Sequence, residues 1–83
     1  SYQSIKLVLE IDKALTYRVY DEFEESSIKK LNNGNFIITI ELPFSDWIYG
    51  YILSFGEHIK VIEPKIVRDE IVDKLQKSIK KYS

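Results

Sequence analysis

The chain has no cysteine and no methionine among its 83 residues, one histidine, two prolines, three glycines and no long apolar run. Without cysteine there is no disulfide framework and no thiolate metal site, which is the composition expected in a reducing, cytoplasmic compartment. The single imidazole, His58, is too few for a zinc cluster or a protein-derived triad. Three scattered glycines make no phosphate cradle, because each has a turn or helix-end explanation. Charge of one sign is lacking too: 12 basic against 13 acidic residues leave a net charge of -1 and a pI near 5.8. No global field therefore draws the chain to nucleic acid or anionic lipid. No segment reads as a membrane span, and no signal-peptide pattern opens the sequence. The missing initiator methionine is expected of an excised or processed piece of a longer protein.

What is present suffices for a core. With 45% apolar residues, the chain reads as one domain over residues 1–83, with a stability of about 4 to 12 kcal/mol expected at this size. Ile5, Leu7, Leu9 and Ile11 alternate with Lys6, Val8, Glu10 and Asp12, the pattern of a half-buried strand. Asp12 is placed to cap a helix over 13–24, with Leu15, Val19 and Phe23 on one face. The acidic cluster Asp21, Glu22, Glu24 and Glu25 falls at that helix's C-terminal end, where the macrodipole disfavours anions, and reads as a solvated, fraying face. Ile28 and Leu31 run into Asn32-Asn33-Gly34, a tight hairpin signal. Phe36, Ile38, Ile40 and Leu42 then alternate with Ile37, Thr39 and Glu41 in the strongest strand, which Pro43 ends.

Ser45 is expected to cap a second helix running to about Phe55, with Phe44 stapled on Tyr49 and Gly56 as a left-handed C-cap. Ile59, Val61 and Ile62 form a last strand closed by Pro64. Val67, Ile71 or Val72, Leu75, Ile79 and Tyr82 then mark a terminal amphipathic helix, supported by Glu70–Lys74 and Asp73–Lys77 pairs. Strand and helix alternation around one hairpin predicts an α+β fold, a ferredoxin-like βαββαβ sandwich with an antiparallel sheet in order 4-1-3-2, plus the C-terminal helix.

No pair of carboxylates converges on a cleft, so no acid–base dyad is read, and the chain is expected not to be an enzyme and to need no cofactor or metal. The same order of elements occurs in RNA recognition motifs, whose outward strand positions carry aromatics for base stacking. Here those positions hold Lys6, Val8 and Glu10, then Ile37, Thr39 and Glu41, so no ring is offered to a base. Lys74, Lys77, Lys80 and Lys81 cluster late in the chain, where a helix dipole favours them. Direct nucleic-acid binding is not expected. Val8 and Ile37 would be apolar neighbours in mid-sheet, covered either by the terminal helix or by another domain or subunit. Trp47, Tyr49 and Tyr51 crowd three rings into five residues, the composition of a core on one side and a contact surface on the other.

From Trp47 the string Trp-Ile-Tyr-Gly-Tyr-Ile-Leu-Ser-Phe-Gly, then Glu-His-Ile-Lys-Val-Ile-Glu-Pro and Ile-Val-Arg-Asp-Glu-Ile, resembles the C-terminal extension, called WCX, of WYL-domain, DeoR-like bacterial transcriptional regulators. The likeness covers nearly the whole chain, since the strand from Ile5 to Asp12 and the hairpin Asn33-Gly34 also fit. Its best marks are Trp47, Leu53-Ser54-Phe55-Gly56, Val61 and Glu63-Pro64. The resemblance implies a ferredoxin-like regulatory module that helps a homodimer assemble and couples effector sensing to DNA binding. Both activities would lie in upstream WYL and helix-turn-helix domains of the same chain, neither of which is present here. It also puts Arg68 at a position where the family often has arginine. The alternative is an ACT-like domain binding small molecules, which wants a glycine where this sequence has Ile11-Asp12-Lys13-Ala14.

Overall fold

The computed structural model describes residues 3–83. The order is β1 (Ser4–Ile11), α1 (Thr16–Glu22), β2 (Ile28–Lys30), β3 (Phe36–Pro43), α2 (Trp47–Leu53), β4 (Ile59–Glu63) and α3 (Lys65–Lys80), with short 3-10 turns at Lys13–Leu15, Glu25–Ser27 and Gly56–His58. The strands form one antiparallel sheet in order β2-β3-β1-β4, the expected order read from its other edge.

Alternation in β1 and β3 places their apolar sets on one face because side chains swap faces at every residue. Leu7, Leu9, Ile11, Phe36 and Ile38 are essentially inaccessible to water, and Val61 of β4 joins them. Val19 of α1, Ile48 and Ile52 of α2, Phe55, and Val67 and Ile71 of α3 close the same core. All three helices therefore lie on one side of the sheet, with α3 beside α2 and against β4. The terminal helix does not cover Val8 and Ile37. Only its first half is buried: Val72, Leu75 and Ile79 remain exposed.

The expected ends of α1 and α2 are corrected. α1 covers Thr16–Glu22 rather than 13–24, because the Asp12 carboxylate makes no cap bond. It lies 3.0 Å from His58 Nδ1, while the Leu15 amide donates to the Asp12 carbonyl, so the chain enters through a 3-10 turn. The helix stops before the rest of the acidic cluster, in the direction the macrodipole requires. α2 begins at Trp47 and ends at Leu53 rather than near Phe55, and neither Ser45 nor Asp46 caps it through a side chain. Instead, the Ile48 and Tyr49 amides donate to the backbone carbonyls of Ser45 and Asp46, both at 3.2 Å. The tight turn at Asn32-Asn33-Gly34 forms as expected: the Gly34 amide donates to the Leu31 carbonyl at 3.0 Å, the Leu31 amide to the Asn35 carbonyl at 2.8 Å, and Gly34 has φ +91°. The pairs Glu70–Lys74 and Asp73–Lys77 form as expected, at 3.6 and 3.0 Å.

Gly56 has φ +63°, the left-handed conformation expected after the helix, and nothing lies within 4 Å of where a Cβ would sit. Substitution there meets backbone strain without a clash. Gly56→Val is expected to cost more than about 1 kcal/mol, since a β-branched residue holds this conformation poorly. A urea titration checks it, and an unchanged midpoint would contradict it. Among the described residues no helix is long and apolar enough to cross a membrane.

Candidate functional site

Trp47, Tyr51 and Phe55 recur every four residues, so α2 and the turn after it stack them along one side. Trp47 meets Tyr51 edge-on with ring centroids 5.8 Å apart, and Tyr51 meets Phe55 at 5.3 Å and 83°. Phe55 is buried, Tyr51 half-buried, and Trp47 half exposed at the end of the ladder. Such edge-to-face pairs contribute roughly 0.5 to 1.5 kcal/mol beyond area burial.

Helix α1 supplies the polar cover. Arg18 and Glu22 stand one turn apart and pair side-on, Nε to Oε2 at 2.6 Å and Nη2 to Oε1 at 3.3 Å. The Arg18 guanidinium lies 3.7 Å from the centre of the Phe55 ring, and its Nη1 donates to the Ser54 carbonyl at 3.3 Å. The Tyr51 hydroxyl donates to Glu22 Oε1 at 2.6 Å. One carboxylate thus ties both helices together. The Arg18 bond holds the Glu22 carboxyl below its usual range, and Glu22 in turn raises the guanidinium. Burial, then the bond to Glu22, pushes the Tyr51 phenol well up. Neither Glu22 nor Tyr51 changes charge near neutral pH, so the cluster exchanges no proton there and acts as a clamp that fixes a surface.

That surface is a groove of about 390 Å³ between the end of α1, β3 and the start of α2. Phe23, Ile40, Leu42, Trp47 and Tyr51 give it an apolar floor, and Glu22, Glu24 and Glu41 line it with carboxylates. Among the described residues Glu24 and Glu41 form no ion pair.

The expected contact residues separate into four places. Trp47 and Tyr51 belong to the groove. Tyr49 sits on another side of α2, toward α3, where Lys74 Nζ lies 5.4 Å from its ring centre and burial raises its phenol. Val8 and Ile37 share the outer sheet face as diagonal neighbours, since Val8 pairs with Thr39 and Ile37 with Glu10, and both are half-buried. Arg68 is exposed on α3, beside Ile62, Lys65, Asp69 and Val72, and its side chain makes no hydrogen bond among the described residues. The anchored arginine is Arg18. Neither composition nor periodicity singles out Arg18, and Glu22 falls in the acidic cluster expected to be a solvated face. The signal was available in two spacings, Arg18 to Glu22 and Trp47 to Tyr51 to Phe55, each at i, i+4.

A family model, the WCX domain, matches residues 3–79. No curated protein matches the chain.

Proposed function

The chain belongs to the WCX domain family, and on that premise we propose that it is the regulatory and assembly module of a bacterial transcriptional regulator. WCX domains are a small regulatory family rather than a known enzyme family. In this reading the order of elements is the ferredoxin-like one, and upstream WYL and helix-turn-helix domains of the same cytoplasmic chain carry sensing and DNA binding. The full-length protein works as a homodimer, and this module passes the effector signal to the DNA-binding domain without touching DNA.

The observation that carries the reading is the outer sheet face. Val8 and Ile37 stand in mid-sheet, and among the described residues α1, α2 and α3 all bury their side chains on the opposite side. An apolar centre with a charged surround of Lys6, Glu10 and Glu41 has the composition of a contact surface. Ile37→Lys in the full-length regulator is expected to weaken dimerisation or effector response by at least about 1 kcal/mol, the scale of a modest hot spot. Sedimentation and an operator-binding titration read both. Wild-type assembly and wild-type response in the folded variant would remove this face from the coupling.

A further inference from the structure

Helix α3 is longer than what it packs on. Its 16 residues reach about 24 Å, whereas the five residues of β4 reach about 17 Å; past its last buried residue, Ile71, the exposed overhang carries Leu75 and Ile79, with Tyr82 just beyond the helix end at Lys80. These are 47, 67 and 93% exposed and form one apolar stripe at spacings of four and three. Lys80 and Lys81 flank it, neither of them in an ion pair among the described residues. The groove has the complementary character, an apolar floor lined by Glu24 and Glu41, neither of them in an ion pair among the described residues. Within one molecule the groove and the overhang lie toward opposite edges of the sheet. The groove lies along β3, toward the β2 edge of the sheet, and α3 packs on β4 at the opposite edge.

We propose that the distal half of α3 docks into the Trp47–Tyr51 groove of a second copy, with Leu75 and Ile79 on the apolar floor and Lys80 and Lys81 against Glu24 and Glu41, and that the exchange is reciprocal. This names the partner surface for the assembly half of the function proposed above and rests on it. A reciprocal exchange closes on itself, whereas a one-way exchange would build an open filament. Two short contacts of this size make a weak dimer, with a Kd on the order of 10⁻⁵ to 10⁻⁴ M.

The test is a charge swap read by sedimentation velocity from about 10 µM to about 1 mM. Wild type should dimerise across that range. Lys80→Glu with Lys81→Glu, and separately Glu24→Lys with Glu41→Lys, should each weaken self-association at least about tenfold. All four positions are exposed, so circular dichroism should show both variants folded. Mixing the two variants should restore a dimer, because each overhang then faces a groove of opposite sign at both contacts. A monomeric wild type at every concentration, or a mixture no tighter than its components, would overturn the exchange. A dimer indifferent to both variants would also overturn it while leaving the assembly reading intact, and would move the contact to the Val8–Ile37 face.

Discussion

Ile38→Lys is expected to leave no folded domain, while Ile37→Lys, one residue earlier on the same strand, should stay within about 1 kcal/mol of wild type in isolation. Ile38 is 0% exposed, packed in the core with Leu9 across the ladder. Removing a buried isoleucine costs about 2 to 5 kcal/mol, and desolvating an unpaired ammonium adds several more. That sum is comparable to the roughly 4 to 12 kcal/mol available to a chain of this length. Ile37 points to the other face, where it is half-buried. A lysine there lays its methylenes along the sheet and keeps its charge in water near Glu10, its cross-strand partner. Circular dichroism and urea melts of the two variants compare the faces directly. A folded Ile38→Lys protein, or an unfolded Ile37→Lys protein, would mean that β3 has the opposite pleat.

The two faces of β3 belong to the part of the fold most legible in the sequence. With one face buried, a one-residue slip would exchange Leu7, Leu9 and Ile11 for Lys6, Val8 and Glu10, so the alternation determines facing and register together. The helix starts were less legible because the groups that decide them are distant in sequence. Asp12 is drawn off by His58, 46 residues away, and the Lys13 amide donates to Asn35 across 22 residues. The bulge in the β1–β4 pairing near Val8 has no signal at the level of residue type. For α3 the periodicity gave the apolar stripe correctly, but amphipathicity says nothing about how long the partner surface is. Val67 and Ile71 found a neighbour while Ile79 did not, because β4 and α2 are short.

At the candidate site, the sequence identified Trp47 and Tyr51 through ring density but grouped them with Tyr49, which the helical period sends elsewhere. Arg18 and Glu22 were hidden by the opposite effect. Each looks like ordinary helix surface until Tyr51 and Ser54, 29 and 36 residues away, close over them.

The clamp itself should be measurable. Arg18→Ala removes a two-point ion pair, a bond to the Ser54 carbonyl and a cation stacked on Phe55, with side chains only 21 and 31% exposed for Arg18 and Glu22. Because this pair is partly shielded, its loss should cost about 2 kcal/mol, more than the 0 to 1 typical of a surface pair. Tyr51→Phe should cost about 1 kcal/mol, and the double variant less than the sum, since both act through the same carboxylate. Protonation gives a second readout. Glu22 has its carboxyl lowered in the folded state, so its contribution is present above the ordinary value of 4.5 and is lost as pH falls below it. Tyr51 has its phenol raised, so its contribution is present below 10.0 and is lost as pH rises through the raised value. Glu22→Gln should therefore flatten the acid side of a stability–pH curve and Tyr51→Phe the alkaline side. Urea midpoints across pH decide between this linked clamp and three independent surface contacts: strictly additive losses with unchanged pH limbs would show that the bonds between α1 and α2 contribute no coupling, and the groove would then lack the rigid wall that docking on Trp47 and Tyr51 requires.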